Sequence, residues 1–217
     1  MSSAFLDALN NTRLYPLTDR RLSGLSHAEQ VSLLGQGGAT VVQLREKTLS
    51  PREFYDAAVA ALRVARERKI TLIINDRVDI ALALKADGVH LGQDDLSPVA
   101  ARSILGPEAI IGFSTHTLEQ ALAAMTMPID YIAIGPIFGT STKETADSSL
   151  SLDGLRRVRH VVNAKPLVAI GGLTLENSAA VLGAGADALA IISDIWGKPQ
   201  DAVLRTKTLV HATLPYR

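Results

Sequence analysis

Short apolar runs, each followed by a polar residue or a glycine, recur eight times along the chain, and this repeat restricts the folds that the chain can adopt. The runs at 71–74, 167–170 and 189–192 do not alternate polar and apolar side chains. A strand with one face in water alternates, whereas parallel strands that helices cover on both faces are apolar throughout. The pattern therefore predicts buried parallel strands. The predicted strands are 13–19, 40–46, 71–76, 88–92, 109–114, 131–137, 166–171 and 188–193.

Helix signals lie between the predicted strands. At three places a Ser or Thr is followed three positions later by Glu or Gln, the spacing of a capping box at a helix N-terminus. These pairs are Ser26 with Glu29, Ser50 with Glu53, and Thr117 with Gln120. Turns of small residues at 37–39, 85–88 and 183–187 precede predicted strands, as expected where a helix ends and the chain reverses. Strand and helix therefore alternate along the chain.

Eight strand–helix units in 217 residues predict an α/β protein, a single-domain (β/α)₈ TIM barrel, although a typical barrel has about 250 residues. We expect this one domain to span residues 1–217, with a short helical segment at about 1–12 before the first strand. The alternative is a doubly wound open sheet, which carries a glycine-rich phosphate loop after its first strand. Residues 18–21, Thr-Asp-Arg-Arg, contain no glycine, so the barrel is favoured.

The charge and cysteine content exclude several function classes. The 22 Lys and Arg residues balance the 22 Asp and Glu residues, so the chain lacks the broad positive surface that nucleic acid or an anionic membrane requires. No cysteine is present, which excludes disulfides, thiolate metal sites and a thiol nucleophile. The N-terminal sequence lacks signal-peptide features and no apolar run approaches membrane-spanning length, so we expect a soluble cytoplasmic protein. The expected partners are small molecules, and a homo-oligomer is left open.

Two cations lie at the end of the second predicted strand. Gln43, Arg45 and Lys47 occupy alternate positions and so share one face. In a barrel, the loops at the carboxyl ends of the strands converge on the functional end. An unpaired cation buried there is costly, so these side chains must meet an anion or water at the barrel mouth. Alternatively, the two cations pair with nearby acids such as Asp19 or Asp76.

Two carboxylates lie at the ends of the next two predicted strands. Asn75 and Asp76 come directly after one apolar run, and Asp95 follows the next. A small number of hard oxygen ligands, completed by water and a substrate phosphate, suits Mg²⁺, whereas the lack of cysteine and of a His-x-x-x-His pair argues against zinc. An Asp in such a loop is otherwise often a helix cap. We expect Asp94 to be a cap and Asp95 a metal ligand.

The last two predicted strands end in residues suited to bind a phosphate. Gly171 and Gly172 follow the seventh strand, and Ile192 and Ser193 follow the eighth. Barrels commonly bind phosphate through backbone N–H groups at these two places, and glycine lets the backbone approach closely. Taken alone, a Gly-Gly pair is also consistent with an ordinary turn. Its position beside the last strand favours the phosphate site.

The stretch 135–143 follows the sixth predicted strand and contains three hydroxyl side chains and a cation. It can bind phosphate oxygens, and the polar, aperiodic stretch 144–151 that follows is expected to close over a ligand. His90 lies within an apolar strand, where a hydrogen-bonded structural residue is favoured over a catalytic one. His116 lies nearer the mouth, and its role is left open.

Six segments together resemble the thiamine phosphate synthase family. They are 41–47, 74–76, 88–95, 114–117, 135–143 and 169–172. They cover nearly the whole chain in order, and the patterns Gln-x-Arg-x-Lys in the first and Thr-x-Thr-Lys in the fifth are specific. The chain has Gly139 where family members often have proline, which loosens this loop without removing a contact group. The resemblance implies a Mg²⁺-dependent (β/α)₈ barrel that joins 4-amino-2-methyl-5-hydroxymethylpyrimidine diphosphate to 4-methyl-5-hydroxyethylthiazole phosphate, releasing diphosphate.

The resemblance also implies a role for each predicted site residue. The pyrimidine diphosphate would be held by Gln43, Leu44, Arg45, Glu46, Lys47, Asn75, Ser114 and Lys143. Mg²⁺ would be held by Asp76 and Asp95. The thiazole phosphate would be held by Thr140, Ser141, Thr142, Gly172, Ile192 and Ser193. The expected catalytic residues are Arg45, Lys47, Ser114 and Lys143.

The catalytic cations would stabilise negative charge on the departing diphosphate rather than supply a base. Ser114 would hydrogen-bond either the diphosphate or the pyrimidine amine, and the sequence does not decide between them. Two other functions remain. One is a related barrel family that isomerises thiazole phosphate and lacks parts of the diphosphate site, and the other is a non-catalytic barrel that binds thiamine phosphates as a sensor. The residues of the diphosphate site are present in this chain, which favours the synthase.

Overall fold

The computed structural model of the protein describes residues 11–139 and 149–214, together with Asp7 and Leu9. Within these residues eight strands alternate with helices. The strands are β1 (Leu14–Pro16), β2 (Val41–Leu44), β3 (Thr71–Asn75), β4 (Gly88–Leu91), β5 (Ile110–Thr115), β6 (Tyr131–Ile134), β7 (Leu167–Ile170) and β8 (Ala188–Ile191). The helices are α1 (Arg20–Ser23), α2 (His27–Gln36), α3 (Pro51–Glu67), α4 (Val78–Leu84), α5 (Pro98–Leu105), α6 (Leu118–Ala124), α7 (Ser151–Val162), α8 (Leu175–Gly183), α9 (Ser193–Trp196) and α10 (Ala202–Thr213), with a 3₁₀ turn at Pro199–Asp201.

The strands form one parallel sheet that closes on itself. Neighbouring strands pair in sequence order from β2 to β8, and β8 pairs with β1. The ring is completed between β1 and β2, where Leu17 forms a parallel bridge with Gln43 and the N–H of Thr18 donates to the carbonyl of Gln43 at 2.9 Å. The predicted (β/α)₈ barrel is therefore confirmed.

Two apolar layers lie on the two faces of this sheet, because successive side chains of a strand point to opposite faces. Side chains such as Tyr15, Ile73 and Val168 fill the barrel interior. The alternate side chains, including Leu44 and Leu72, pack with the surrounding helices. This double burial is the physical reason for the continuous apolar runs in the sequence.

Helix caps fix where several helices begin. The boxes predicted at Ser26 and Ser50 are present at the N-termini of α2 and α3. At α6, Thr117 accepts from the N–H of Gln120, but the Gln120 side chain accepts from the N–H of His116, so the box is incomplete. No helix in the described part of the chain is long and apolar enough to cross a membrane.

The cap predicted at Asp94 is wrong. The helix that follows β4 begins at Pro98, and its N-cap is Ser97, whose hydroxyl accepts from the N–H of Ala100 at 3.3 Å. Three residues separate Asp94 from the first residue of this helix, so Asp94 is too far from the helix to cap it. The carboxylate of Asp94 instead lines a cavity at the barrel mouth.

Three aspartates connect neighbouring strands at the amino end of the barrel, the end opposite the loops that follow the strands. Asp87, Asp130 and Asp187 each precede an even-numbered strand and accept the N–H of a residue in the strand before it. The distances from carboxylate oxygen to backbone nitrogen are 2.7 Å for Asp87 with Leu72, 2.8 Å for Asp130 with Ile111, and 2.8 Å for Asp187 with Leu167. These charges therefore stabilise the sheet away from its functional end.

Candidate active site

A cavity of about 670 Å³ opens at the carboxyl ends of the strands. This is the end at which barrel enzymes carry their sites. Most of the residues that the sequence predicts to bind substrate or metal line it together. They are Gln43, Arg45, Lys47, Asn75, Asp76, Asp95, Ser114, Gly172, Ile192 and Ser193.

Two predicted residues lie elsewhere in the described part of the chain. Leu44 is fully buried and packs in the layer between the sheet and the helices, so its side chain does not face the cavity. Glu46 also turns away, and its carboxylate contacts His27 at 3.2 Å. The predicted residues Thr140, Ser141, Thr142 and Lys143 lie outside the described residues.

The two cations after β2 are paired at the cavity wall. Nη1 of Arg45 donates to Oδ2 of Asp19 at 2.7 Å, and Nζ of Lys47 donates to Oδ2 of Asp76. These are the pairs that the sequence offers as an alternative to anion binding. Both cations nevertheless line the cavity, and the Lys47 side chain is 47% exposed. An anion in the cavity therefore reaches both cations without unfolding either loop.

The carboxylates of Asp76 and Asp95 lie close enough to influence each other. Oδ2 of Asp95 accepts the N–H of Gly92 at 2.7 Å. Burial, and then the negative charge of Asp76, raise the pKa of Asp95 against the opposing effects of that N–H and of Lys47. Asp76 also has a φ of 62°, a left-handed conformation that is rare outside glycine and concentrates at functional sites.

A site with only two carboxylates suits Mg²⁺ better than it suits a metal ion whose ligands all come from the protein. Among the described residues, no group of three or more His, Asp or Glu side chains is arranged to hold a metal ion. Mg²⁺ characteristically uses one or two carboxylates and completes its shell with water and substrate phosphates. A divalent cation held by Asp76 and Asp95 would also offset the negative charge of Asp76, which adds to the effect of burial in raising the pKa of Asp95.

A chain of buried hydrogen bonds crosses the barrel interior and ends at the cavity. Nε2 of Gln43 donates to the hydroxyl of Tyr15 at 3.1 Å, and the hydroxyls of Tyr15 and Tyr131 are 2.8 Å apart. The Tyr131 hydroxyl lies 2.9 Å from Nδ1 of His90, and Nε2 of His90 lies 2.8 Å from Oγ of Ser114. Burial raises the pKa of both tyrosines, so both stay protonated.

His90 therefore has both features that the sequence left as alternatives. Both ring nitrogens are hydrogen-bonded, as a structural histidine requires, and the ring also lines the cavity. Sequence reasoning missed Tyr15 and Tyr131. The available signal was a tyrosine inside an apolar strand, since a buried hydroxyl needs a partner.

Two further polar side chains at the mouth were not assigned from the sequence. Nε2 of Gln93 donates to the carbonyl of Ser114 at 2.5 Å. Nδ1 of His116 lies 2.7 Å from the carbonyl oxygen of Gly135, and because a carbonyl only accepts, Nδ1 carries the hydrogen. Both residues line the cavity. Gln93 joins the loop after β4 to the end of β5, and His116 joins the loops after β5 and β6.

Two buried polar atoms on the wall lack a hydrogen-bond partner within the described residues. They are the acceptor Oε1 of Gln43 and the donor Nδ2 of Asn75. Buried polar atoms are rarely left unpaired, so an unpaired acceptor and donor in one cavity indicate a polar ligand.

The glycines after β7 bring backbone to the cavity. Gly171 and Gly172 have φ values of 97° and 64°. A Cβ at Gly171 would lie 2.5 Å from Cα of Pro136, and one at Gly172 would lie 2.7 Å from the carbonyl oxygen of Gly139. Both positions therefore need glycine, because the backbone of the loop after β6 lies where a side chain would begin.

A (β/α)₈ barrel with cations, carboxylates and glycine backbone around one cavity belongs to the class of barrel enzymes that act on small anionic molecules. Residues 14–195 match the family model described as thiamine monophosphate synthase, and the chain belongs to this family. The family that the sequence motifs predict is thereby confirmed, and with it, at the level of the family, a thiamine phosphate synthase transferase. Neither the isomerase nor the non-catalytic barrel is favoured by this match.

Individual relatives agree with the family. The thiamine-phosphate synthase of Chloroflexus aurantiacus is 46% identical over 184 residues, which are 84% of each chain. That of Azorhizobium caulinodans is 44% identical over 205 residues, covering 92% of this chain and 95% of the relative. Among solved structures, the thiamine phosphate pyrophosphorylase from Pyrococcus furiosus has a TM-score of 0.86 and 37% identity, covering 95% of this chain and 98% of that one.

Proposed function

We propose that this cavity joins 4-amino-2-methyl-5-hydroxymethylpyrimidine diphosphate to 4-methyl-5-hydroxyethylthiazole phosphate, giving thiamine phosphate and diphosphate. The observation that carries the proposal is that one cavity has two different anion-binding sides. Cations and carboxylates from the ends of β2, β3 and β4 form one side, and glycine backbone and residues after β7 and β8 form the other. Two anionic substrates can therefore bind next to each other.

The pyrimidine ring offers hydrogen-bond partners for the two unpaired polar atoms of the cavity wall. Oε1 of Gln43 can accept a hydrogen bond from the exocyclic amine, and Nδ2 of Asn75 can donate to an acceptor atom of the substrate. Tyr15 and Ala190 supply apolar surface in the same cavity. The ring would thus be held by its polar edges and covered by an apolar floor.

The diphosphate would face Arg45 and Lys47, the cations on the cavity wall. The difficult step is breaking the carbon–oxygen bond to the diphosphate, which takes the bonding electrons as it leaves. One cation about 4 Å from the growing charge contributes on the order of 4 kcal/mol at an effective dielectric constant near 20, before desolvation is subtracted. Lys143, which lies outside the described residues, is proposed from the sequence to add a third positive charge.

Mg²⁺ is proposed as the metal ion, with Asp76 and Asp95 as its protein ligands. When bound, the ion would neutralise charge on the diphosphate as a Lewis acid. Asp76 pairs with Lys47 in this structure, and this ion pair keeps both groups at the cavity wall, where Asp76 would hold the metal ion and Lys47 would face the diphosphate.

Ser114 is proposed to donate its hydroxyl hydrogen into the cavity. The buried chain uses each hydroxyl once as acceptor and once as donor if Gln43 donates to Tyr15, Tyr15 to Tyr131, and Tyr131 to Nδ1 of His90. His90 then carries its hydrogen on Nε2 and donates to Oγ of Ser114. The Ser114 hydroxyl hydrogen would therefore be available to a phosphate oxygen or a ring nitrogen of the substrate.

The thiazole phosphate would lie against Gly172, Ile192 and Ser193, with Thr140, Ser141 and Thr142 assigned from the sequence. Its ring nitrogen forms the new carbon–nitrogen bond and becomes positively charged without losing a proton. The reaction therefore needs charge stabilisation rather than a general base, which agrees with a wall of cations and hydroxyl donors.

The test is to mix the purified protein with both substrates and Mg²⁺ and to look for thiamine phosphate and diphosphate. Formation of both products at equal rates is expected. Binding of the substrates without turnover would favour the sensor, and turnover of thiazole phosphate alone would favour the isomerase. A cytoplasmic location stays a prediction from the sequence, which leaves a homo-oligomer open.

A further inference from the structure

The carboxylate of Glu46 is the centre of a hydrogen-bond network beside the cavity. The side chain is 4% exposed. Oε1 accepts from three successive backbone N–H groups, at 2.7 Å from Lys47, 2.6 Å from Thr48 and 3.3 Å from Leu49, and from the Thr48 hydroxyl at 2.8 Å. One carboxylate oxygen therefore ties down the turn that follows Arg45.

The other oxygen of Glu46 faces cationic and imidazole groups from the first two helices. Oε2 lies 3.2 Å from Nε2 of His27 and 3.6 Å from the guanidinium of Arg20. His27 is fully buried, begins α2, and lies 6.1 Å from the ring of Phe54 in α3, measured between ring centroids. The turn is thus anchored to α1 and α2.

The network continues from His27 to the backbone of Arg45. Nδ1 of His27 lies 2.8 Å from Oγ1 of Thr18, and this oxygen accepts the N–H of Arg45 at 3.1 Å. Because a carboxylate only accepts, Nε2 of His27 carries a hydrogen and donates to Glu46. In the neutral ring Nδ1 is then the acceptor, so the Thr18 hydroxyl donates to it. Every link has a donor and an acceptor.

We propose that Glu46 and His27 are positioning residues that hold Arg45 and Lys47 toward the cavity before substrate arrives. Glu46 stands between the two cations in the chain, and its side chain points away from the face that they share. The network fixes the backbone N–H of both cations, one through Thr18 and the other directly. Charge stabilisation is strongest when its donors are already in place. Holding Arg45 and Lys47 in fixed positions therefore strengthens diphosphate binding. The proposal rests on the function proposed above.

Glu46→Ala removes the acceptor of the turn and tests the proposal. Affinity for inorganic diphosphate in the presence of Mg²⁺, measured by calorimetry, should fall between about tenfold and 10²-fold, while the KM for thiazole phosphate stays within about twofold. Amide hydrogen exchange at 47–49 should become faster. Glu53→Ala is the matched control, because the Glu53 carboxylate also binds a backbone N–H and a serine hydroxyl, but at the exposed start of α3.

Glu46→Gln separates hydrogen bonding from charge. The substituted amide keeps an oxygen for the turn, and His27 can move its hydrogen to Nδ1, donate to Thr18 and accept from the amide nitrogen. We therefore expect Glu46→Gln to recover most of the diphosphate affinity. If Glu46→Ala does not fold, Thr18→Val should give the same selective loss through the N–H of Arg45.

The outcomes distinguish this proposal from the proposed function. A wild-type protein that does not bind diphosphate would overturn the proposed function. Wild-type binding and turnover combined with an unchanged diphosphate affinity in Glu46→Ala and Thr18→Val would overturn only the positioning role. Equal losses for diphosphate and thiazole phosphate would also overturn it, since they would indicate a general structural defect.

Discussion

Nη1 of Arg45 donates a hydrogen bond to Oδ2 of Asp19 at 2.7 Å, so the cation after β2 is held by the residue that caps α1. The second carboxylate oxygen of Asp19 is already used, since it accepts the N–H groups of Arg21 and Leu22. A guanidinium carries five N–H donors. The pair therefore orients Arg45 while leaving donors for an anion in the cavity.

Arg45→Ala should lower turnover by roughly 10²-fold or more, the loss found when one preorganised electrostatic donor is removed. The same loss is expected for Lys143→Ala from the sequence motif. Arg156→Ala, which removes an exposed arginine that pairs with Asp153 on α7, is the control and should leave the rate unchanged. Steady-state kinetics with saturating Mg²⁺ measures all three, and wild-type rates in both site variants would contradict the assignment of the diphosphate side.

Asp76→Ala should weaken the binding of Mg²⁺ at the site. The Mg²⁺ concentration for half-maximal rate should rise by about tenfold or more, since loss of even an outer-shell partner has an effect of that size. Asp79→Ala is the control, because Asp79 is an exposed carboxylate that pairs with Arg77. A metal titration of the rate provides the measurement, and an unchanged midpoint in Asp76→Ala would move the metal ligand elsewhere.

Tyr131→Phe tests the buried chain that ends at Ser114. It removes one hydroxyl while keeping the ring that stacks with His90 at 5.5 Å. We expect kcat to fall by roughly tenfold, with a smaller change in the KM for thiazole phosphate, because the effect reaches the substrate only through the orientation of Ser114. Ser114→Ala should have the larger effect.

Tyr55→Phe is the matched control for this prediction, since Tyr55 lies in α3 and is 37% exposed. Nitrogen chemical shifts of His90 provide a second measurement. They should show hydrogen on Nε2 in the wild type and a loss of this preference in Tyr131→Phe. A wild-type kcat together with an altered tautomer would show that the chain does not orient Ser114.

The sequence predicted the barrel because its strands are buried on both faces. Runs such as 167–170 are apolar throughout, and this pattern can be recognised without knowing which strands and helices pack against each run. Strand ends were less predictable. The run 131–137 extends beyond the last residue of β6, Ile134, because Ile137 is also buried and packs in the apolar layer between the sheet and the helices.

The site was predicted only as far as strand ends determine it. Gln43, Asn75 and Asp95 were predicted because each lies in or just after the last residues of a strand, and every strand end lies on the same rim. The link between Tyr15 and His90 was not predictable, since it depends on contacts across the barrel interior that no sequence spacing encodes. The cap at Ser97 was missed because Asp94 and Ser97 both have capping side chains, and the number of residues in the turn decides between them.

His27 should make stability depend on pH. Burial lowers its pKa from the ordinary value of 6.5, against the raising effects of Glu46 and Asp19, and Arg20 lowers it further. Below pH 6.5 the unfolded chain therefore binds a proton that the folded protein does not bind, so the free energy of unfolding falls as the pH falls, by at most about 1.4 kcal/mol per pH unit from this group.

Urea unfolding of the wild type and His27→Gln at about pH 7.5 and 5.5 measures this effect. Both values lie above the ordinary pKa of glutamate, 4.5, so Glu46, whose pKa is lowered to about 2, stays ionised throughout. His27→Gln should lose less stability between the two pH values than the wild type. Equal losses in the two proteins would show that other groups carry the pH dependence.

Asp130→Ala should destabilise the amino end of the barrel without changing the chemistry. Oδ2 of Asp130 accepts the N–H of Ile111 at 2.8 Å and Nη2 of Arg102 at 2.7 Å, and both side chains of this ion pair are mostly buried. Removing one partner of such a pair leaves an uncompensated charge and costs about 3 kcal/mol.

Asp153→Ala is the control, because that carboxylate is 83% exposed and its loss should cost less than about 1 kcal/mol. Urea unfolding measures the difference, and kcat of folded Asp130→Ala should equal that of the wild type, since Asp130 precedes β6 at the end of the barrel opposite the cavity. An Asp130→Ala protein as stable as Asp153→Ala would show that the contacts of Asp130 do not stabilise the barrel.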